Sequence, residues 1–484
     1  MGGSITSKRG PASSHARLRQ VVIVSVICLA LYCFMLVPDH SLDSSRTVPE
    51  PVFPYYASSS SSSSKSKQQS PQQQRHPPSL LNNRFLTTPQ CAAAFPGLTK
   101  EIDDVVAKGP FVLPRNPHPG LGPLVARVRG GRLSILSYAR RVDLGRDMLQ
   151  HRSATLHQIA AALLTAPAEE EPIPDTIFAF NHEDDPASPS LSYARPADPV
   201  LNGAAKRFFA VPHFSFWAWP IGPVGSFGRA ATAIASLESE LSWAAKTPKA
   251  VWRGTAWFNS ARAGRTRQDL VAAARGKPWA DVEALHANRS NALAVEDFCR
   301  YRYVVHTEGV TYSGRFQYHQ LCASVVLAPP LAWMQHLTHL ARPAFSYALD
   351  GVARTAPSSS SSSSSSFSSS SGNLVPYPAP WVKEAWPTAY DPRTEANILF
   401  VAPDWSDLEA TVDWLERHPK VAEGIARRQR ELFHGGGYFS PAAEMCYWRA
   451  AIRGWSSVVR TDGQGFEDLE EIPWEEFSLK EIHK

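Results

Sequence analysis

The stretch Glu296 to Leu327, EDFCRYRYVVHTEGVTYSGRFQYHQLCASVVL, constrains the fold more than any other segment of the chain. Tyr303 to His306 is short, apolar and rich in β-branched and aromatic residues, which predicts a covered strand. Gly309 to Gly314 then supplies a flexible turn, and Arg315 opens the next helix. A helix start presents unpaired backbone N–H groups to an anion, and an arginine there adds a planar double donor matched to phosphate oxygens. Strand, glycine-bounded loop and basic helix start, in that order, are what a nucleotide-diphosphate site requires.

The same alternation runs through the rest of the chain. Leu133 to Tyr138, Thr176 to Phe180, Phe208 to Val211, Ala250 to Trp252, Val325 to Leu327 and Ile398 to Val401 read as strands. Helical spacing is clearest at Ile234, Leu237, Leu241 and Ala245, and again at Leu270, Val271 and Ala274. Ser406-Asp407-Leu408-Glu409 matches a helix capping box, and long helices follow to about Trp455. Strand and helix in alternation argue for parallel sheets covered on both faces. At 484 residues the chain can hold two such units plus tails, since single cores rarely grow past about 250 to 300 residues.

The net charge of +5 suggests nucleic acid, but Lys8, Arg9, Arg17 and Arg19 carry four of those charges ahead of the first acid, Asp39. Without them the chain is nearly neutral, so no nucleic-acid partner is expected. That basic cluster precedes Val21 to Val37, an uncharged run somewhat short of the span of about 20 residues usual for a membrane helix. The run is longer than a cleaved signal's apolar region of about 7 to 15 residues and lacks its small-residue ending. It is expected to be a type II signal anchor, with residues 1–20 cytosolic and the bulk of the chain lumenal. Residues 38–85, rich in Ser, Pro and Gln, read as a disordered stem. A serine-rich insertion at 356–373 reads as a surface loop, since long loops add little closure entropy. The remainder divides into an acceptor-side half at 86–225, a donor-side half at 226–440 and terminal helices at 441–484 that pack back on the first half. Asn288-Arg289-Ser290 is a glycosylation sequon consistent with lumenal exposure.

Several residues in this framework have chemistry to offer. Asp184 lies in a polar turn directly after the strand Thr176 to Phe180, where strand ends open into the ligand crevice of an α/β sheet, and a carboxylate there can accept a proton. Glu183-Asp184-Asp185 also admits a bland reading, a solvated turn before Pro186, and a third as a manganese site bridging to diphosphate. Arg253 follows a strand and precedes Gly254, where backbone can approach a ligand. Phe214 to Pro220 is aromatic enough to stack on a sugar, with Phe216 and Trp217 the candidates, although a core strand is an equal reading. Of six cysteines, Cys28 and Cys33 fall in the anchor. Cys91, Cys299, Cys322 and Cys446 remain, with three pairings open in an oxidising lumen.

Glu296 to Leu327, Trp252-Arg253-Gly254-Thr255 and Asn181-His182-Glu183-Asp184-Asp185-Pro186 together resemble glycosyltransferase family 90, which includes fungal capsule-associated xylosyltransferases and Rumi-type protein O-glucosyltransferases. The likeness runs from about Cys91 to about Trp455. It implies a GT-B-like fold, two doubly wound halves with a cleft between them, preceded here by the anchor helix. It implies that Asp184 is the base for an acceptor hydroxyl; neighbouring Asp185, where relatives often carry another residue, is the second candidate for that role and an expected acceptor contact. It places a UDP-sugar on Arg253, Gly254, Thr255 and the loop Val310, Thr311, Tyr312, Ser313, Gly314 and Arg315. By the same resemblance Cys299 pairs with Cys322 and Cys91 with Cys446, and no metal or other cofactor is required. The expected activity is inverting transfer of xylose or glucose from UDP to a glycan or glycoprotein acceptor, at the Golgi or endoplasmic-reticulum membrane. The serine-rich segments resemble fungal members and favour xylose. The rival expectation is a membrane-anchored carbohydrate-binding protein that keeps the fold without catalysis.

Overall fold

In the computed structural model, which describes residues 75–115, 122–167, 169–259, 264–354 and 377–482, the longer strands segregate into two six-stranded sheets. The expected cytosolic tail, the anchor at 21–37, most of the stem and the serine-rich insertion lie outside the described residues. Among the described residues no helix is long and apolar enough to cross a membrane.

The first sheet contains β1 (Leu124–Arg129), β2 (Arg132–Ser137), β3 (Thr176–Phe180), β4 (Ser190–Ser192) and β5 (Phe208–Ala210). Gly130 and Gly131, both at positive φ, form the two-residue turn that folds β2 back on β1, with Arg129 opposite Arg132. The pairs β1–β2 and β1–β3 are therefore antiparallel, and only β3–β4 and β4–β5 are parallel. This corrects the expectation of two doubly wound halves: the first sheet is mixed because a hairpin replaces a crossover at one side. Helix α1 (Arg146–Leu164) covers it.

The second sheet is parallel throughout. It holds β6 (Thr247–Gly254), β7 (Ala280–Ala284), β8 (Tyr301–Val305), β9 (Val325–Ala328), β10 (Pro343–Phe345) and β11 (Ile398–Phe400), in the order β7-β6-β8-β9-β11-β10. Alternation along β9 assigns its two faces to separate cores. Val325 and Leu327 pack with α3 (Thr266–Ala274), α5 (Leu408–Arg417) and α6 (Pro419–Arg430), whereas Val326 and Ala328 join Phe316, Val382 and Trp386 on the other side. Strands buried on both faces read as continuous apolar runs, which is why β6, β8, β9 and β11 were visible in the sequence; the half-exposed edge strand β7 and the short edge strand β10 were not.

Local expectations fared unevenly. Helix α2 (Phe227–Glu240) ends before Leu241 and Ala245, because Leu241 turns extended. The capping box at Ser406 does not form: Asp407 is buried, accepting from Ala402 N and Ser346 Oγ, so its carboxylate serves the β11 loop instead. The stem was set too long. Pro78–Leu81 is helical, His76 Nε2 lies 2.7 Å from Ala94 O, and Leu81 fills the space where any side chain at Gly437 would clash.

Helix α7 (Pro441–Val458) crosses to the first sheet. Trp448 Nε1 donates to Gln158 at 3.0 Å, Trp455 Nε1 to Ile177 O at 2.8 Å and Tyr447 to Ala210 O at 2.6 Å. β12 (Ile472–Pro473) then adds to the edge of β2. Two disulfides form, Cys91–Cys446 fastening α7 to the helix Thr88–Ala94, and Cys299–Cys322 bracketing β8 and the loop after it. The lobes are joined where Arg195–Pro196 pairs antiparallel with Trp333–Met334. Arg195 also clasps Glu101, with contacts of 2.6 and 2.9 Å.

Candidate active site

The crevice opens at the carboxyl ends of the second sheet, where open α/β sheets place ligands. A cavity of about 560 Å³ there is walled by Glu308 and Gly309 after β8, Pro329 and Pro330 after β9, and Pro403 and Asp404 after β11. Thr266 at the start of α3, the apolar side chains of Leu331, Trp333 and Trp381, the acids Asp198 and Asp269, and Pro196 from the first lobe also line it. A flat base would find stacking surface in such a cavity.

Two arginines stand behind it. Arg267, in the first turn of α3, is 6% exposed, and its guanidinium donates only to main-chain carbonyls, to Glu308 O at 3.0 Å and Thr255 O at 3.1 Å. Arg315 Nη1 donates to Arg253 O, and its guanidinium faces the Phe298 ring. None of the ion pairs among the described residues involves either group. Burial pushes Arg267 down to about 9, with Arg315 adding to the effect, and burial pushes Arg315 down to about 10. His306, buried beside both, is held well below its usual value by burial and then by the two arginines, so it stays neutral. The two guanidinium groups form no ion pair among the described residues, although Asp198, Asp269, Glu308 and Asp404 line the cavity in front of them; groups donating only to carbonyls keep charge that a diphosphate would complement.

Arg253 does not take part. Its guanidinium donates to Asp281 Oδ1 at 2.6 Å, Asp281 O at 2.8 Å, Trp252 O and Asn291 O, each at 3.0 Å. The expectation that it grips the donor is corrected, because a strand-end side chain can face either neighbour and this one faces β7. Arg267 replaces it. Gly254 is needed for another reason than ligand approach: a Cβ there would sit 2.6 Å from the ring of Trp252. Thr255 contributes its carbonyl to Arg267.

The loop after β8 reaches across to the first lobe. Thr311 Oγ1 donates to Asp184 O at 3.0 Å, and the Tyr312 hydroxyl lies 3.3 Å from Asp184 Oδ1. Gly314 lies flat against the His213 ring, so close that a Cβ would meet it at 2.5 Å. Ser313 O accepts from Phe316 N, and Val310 is exposed. Thus Asp184 and the arginine-bearing loop, expected on opposite lobes, are in contact. Tyr312, Thr311 and Gly314 serve that junction. Helix α4 (Phe316–His319) is a single turn, too short for the helix-start contribution expected of it.

Asp184 is exposed and lies beside the crevice rather than in the wall of the cavity, joined to the loop after β8 through Thr311 and Tyr312. Desolvation by the surrounding protein raises its carboxyl above the ordinary range, Tyr312 pulls it back and Glu183 adds to the rise. The side chain keeps an open edge to water while the protein packed around it crowds out part of its hydration, so exposure and a raised carboxyl coexist. The turn is fixed by Asn181 Nδ2, which donates to Glu183 O and Asp185 O; Asp185 and Glu183 are exposed.

The aromatic candidates separate. Phe216 is core, packed on Phe227, His336 and Phe439, and is withdrawn as an acceptor contact. Trp217 is exposed and stacks on His157 at 5.0 Å. Asn288 lies in an exposed loop after β7. One group of metal-ligating side chains gathers among the described residues, Glu238 with Cys299 and Cys322, and the disulfide engages both sulfurs.

Sequence comparison adds a family likeness. Residues 129–348 match the family model Glycosyl transferase family 90. Similar curated proteins include the O-glucosyltransferase rumi homolog of Anopheles gambiae, 23% identical over 236 residues, covering 46% of this chain and 45% of that one. The rumi homolog of Aedes aegypti is 23% identical over 281 residues, 54% of this chain and 56% of that one. Protein O-glucosyltransferase 1 of Homo sapiens is 26% identical over 196 residues, 36% and 48%. The chain spans about half the length of the curated relatives it matches. Motifs, crevice and matches converge, and the chain is family 90-like, with the glycosyl transferase region of that family at residues 129–348.

Proposed function

We propose that the chain transfers a sugar from a UDP-sugar to an acceptor hydroxyl by direct, inverting displacement. The observation that carries this is the pair of guanidinium groups of Arg267, buried, and Arg315, half-buried, with no carboxylate partner among the described residues, on a loop system that touches Asp184. Asp184 takes the proton as the acceptor oxygen bonds to the anomeric carbon. The bond from that carbon to the diphosphate breaks, and its electron pair leaves on the β-phosphate oxygen, where both arginines meet the growing charge. Tyr312 orients the carboxylate. The raised Asp184 carboxyl suits a base, being more basic than an ordinary carboxylate.

The relatives named as O-glucosyltransferases make glucose the first sugar to test, with xylose second. Two disulfides fit a chain that works in an oxidising compartment, and with the apolar run at 21–37 they support anchorage in the Golgi or endoplasmic-reticulum membrane. No metal has a role in this scheme, since the arginines supply the charge. The test is incubation of the full detergent-solubilised chain with UDP-glucose, UDP-xylose and other UDP-sugars, following UDP release. Absence of release from every donor, with glycan binding intact, replaces the transferase with a carbohydrate-binding protein.

A further inference from the structure

Large aromatic side chains in water are informative when several gather beside a reaction centre. Trp257 is 72% exposed, Phe258 52% and Val310 52%. They ride on the loops leaving β6 and β8, strands paired directly in the sheet. Arg267 holds both loops through Thr255 O and Glu308 O, and Asn259 pins the first one further, accepting from Arg267 N at 2.9 Å and donating to Ala256 O. The exposed rings are thus set on restrained backbone. Trp257 and Phe258 stand 6.5 Å apart, edge to face. Val310 immediately precedes Thr311 and Tyr312, which reach Asp184, and the turn around Asp184 exposes Glu183 and Asp185 as well.

Exposed aromatic faces beside several carboxylates favour one ligand chemistry. A neutral sugar chain offers C–H faces to rings and hydroxyl donors to carboxylates. We infer that Trp257, Phe258 and Val310 form the acceptor subsite, and that the acceptor is a neutral oligosaccharide stacked on Trp257. This rests on the transferase reading only for delivery of the reacting hydroxyl to Asp184.

The test is direct binding of the full chain, without donor, to immobilised neutral oligosaccharides of hexose and pentose, with affinities by calorimetry. Trp257→Ala and Phe258→Ala should each weaken binding about tenfold, equivalent to about 1.4 kcal/mol of stacking, while Trp257→Phe retains most of it and UDP affinity stays unchanged. Binding to no oligosaccharide, binding to a polypeptide panel instead, unaltered oligosaccharide binding in both alanine variants, or a parallel loss of UDP affinity each overturns the subsite. A chain that binds sugars through Trp257 yet never releases UDP refutes the transferase and leaves the subsite standing. Transfer to an oligosaccharide with unchanged kinetics in Trp257→Ala does the reverse.

Discussion

A guanidinium shut away from water without a carboxylate holds free energy that an arriving anion can release. On that ground Arg267→Ala and Arg315→Ala should each weaken UDP binding by about tenfold to a hundredfold, the range for hydrogen bonds to charged groups, and should lower turnover as well. Arg253→Ala should instead reduce thermal stability and spare UDP affinity, because its guanidinium is committed to Asp281. Calorimetric titration of the three variants separates these roles; equal losses in all three would reinstate Arg253 in the donor site. Asp184→Asn should cut transfer about a hundredfold to ten-thousandfold while UDP still binds. The sign of the pH effect follows from the raised carboxyl: a folded value above the unfolded one means that ionisation is disfavoured in the native state, so any stability it contributes is present at low pH and lost as pH rises. The amide should therefore not destabilise the protein at neutral pH. Wild-type activity should fall on acidification at a pH above the ordinary carboxylate range, and near-wild-type turnover in Asp184→Asn would assign the base elsewhere.

At the scale of elements, legibility in the sequence followed burial. Thr176–Phe180 was bounded correctly and Val325–Ala328 to within a residue, because strands covered on both faces show as apolar runs. Leu124–Arg129 was missed although Gly130-Gly131 signalled a hairpin, since Arg127 and Arg129 interrupt its apolar pattern and Arg127 is buried against Glu467 and Glu471. Arg267 went unrecognised because an arginine in the first turn of a helix ordinarily points to solvent. Only the loops after β6 and β8 bury it, and these are brought together by pairing across 50 residues of sequence. The one local clue was Gly264-Arg265-Thr266-Arg267, a glycine and two arginines opening a helix after a strand. Glu308 belongs to the same class of tertiary surprise. It receives N–H bonds from Ala332 and Trp333, which favour its anion, yet burial wins and pushes it up to about 8. Its contribution to stability is therefore held at low pH and lost as pH climbs through about 8. Because it lines the donor cavity, its ionisation should repel the diphosphate, so UDP affinity should decline across about pH 8 and Glu308→Gln should flatten that decline. A pH-independent affinity in the wild type would remove Glu308 from the nucleotide's surroundings.

Over the whole molecule, the crevice is bounded by both lobes, and their contacts are of two kinds. One set is permanent: the Arg195–Pro196 pairing with Trp333–Met334, and α7 returning to the first sheet. The other is the junction of Thr311, Tyr312 and Gly314 with Asp184 and His213, which belongs to the active site itself. A ligand held by Arg267 and Arg315 restrains the loop that makes this second junction, so binding should stabilise both lobes together. Linkage sets the size, about 2.7 kcal/mol at a ligand concentration of 100 times Kd. Calorimetric scanning with saturating UDP should accordingly raise a single unfolding transition by several degrees, and Arg315→Ala should abolish most of the rise. The same scan discriminates the manganese alternative. If the arginines carry the diphosphate, the shift survives exhaustive chelation undiminished; if Glu183-Asp184-Asp185 holds a bridging metal, chelation removes the shift and added manganese restores it.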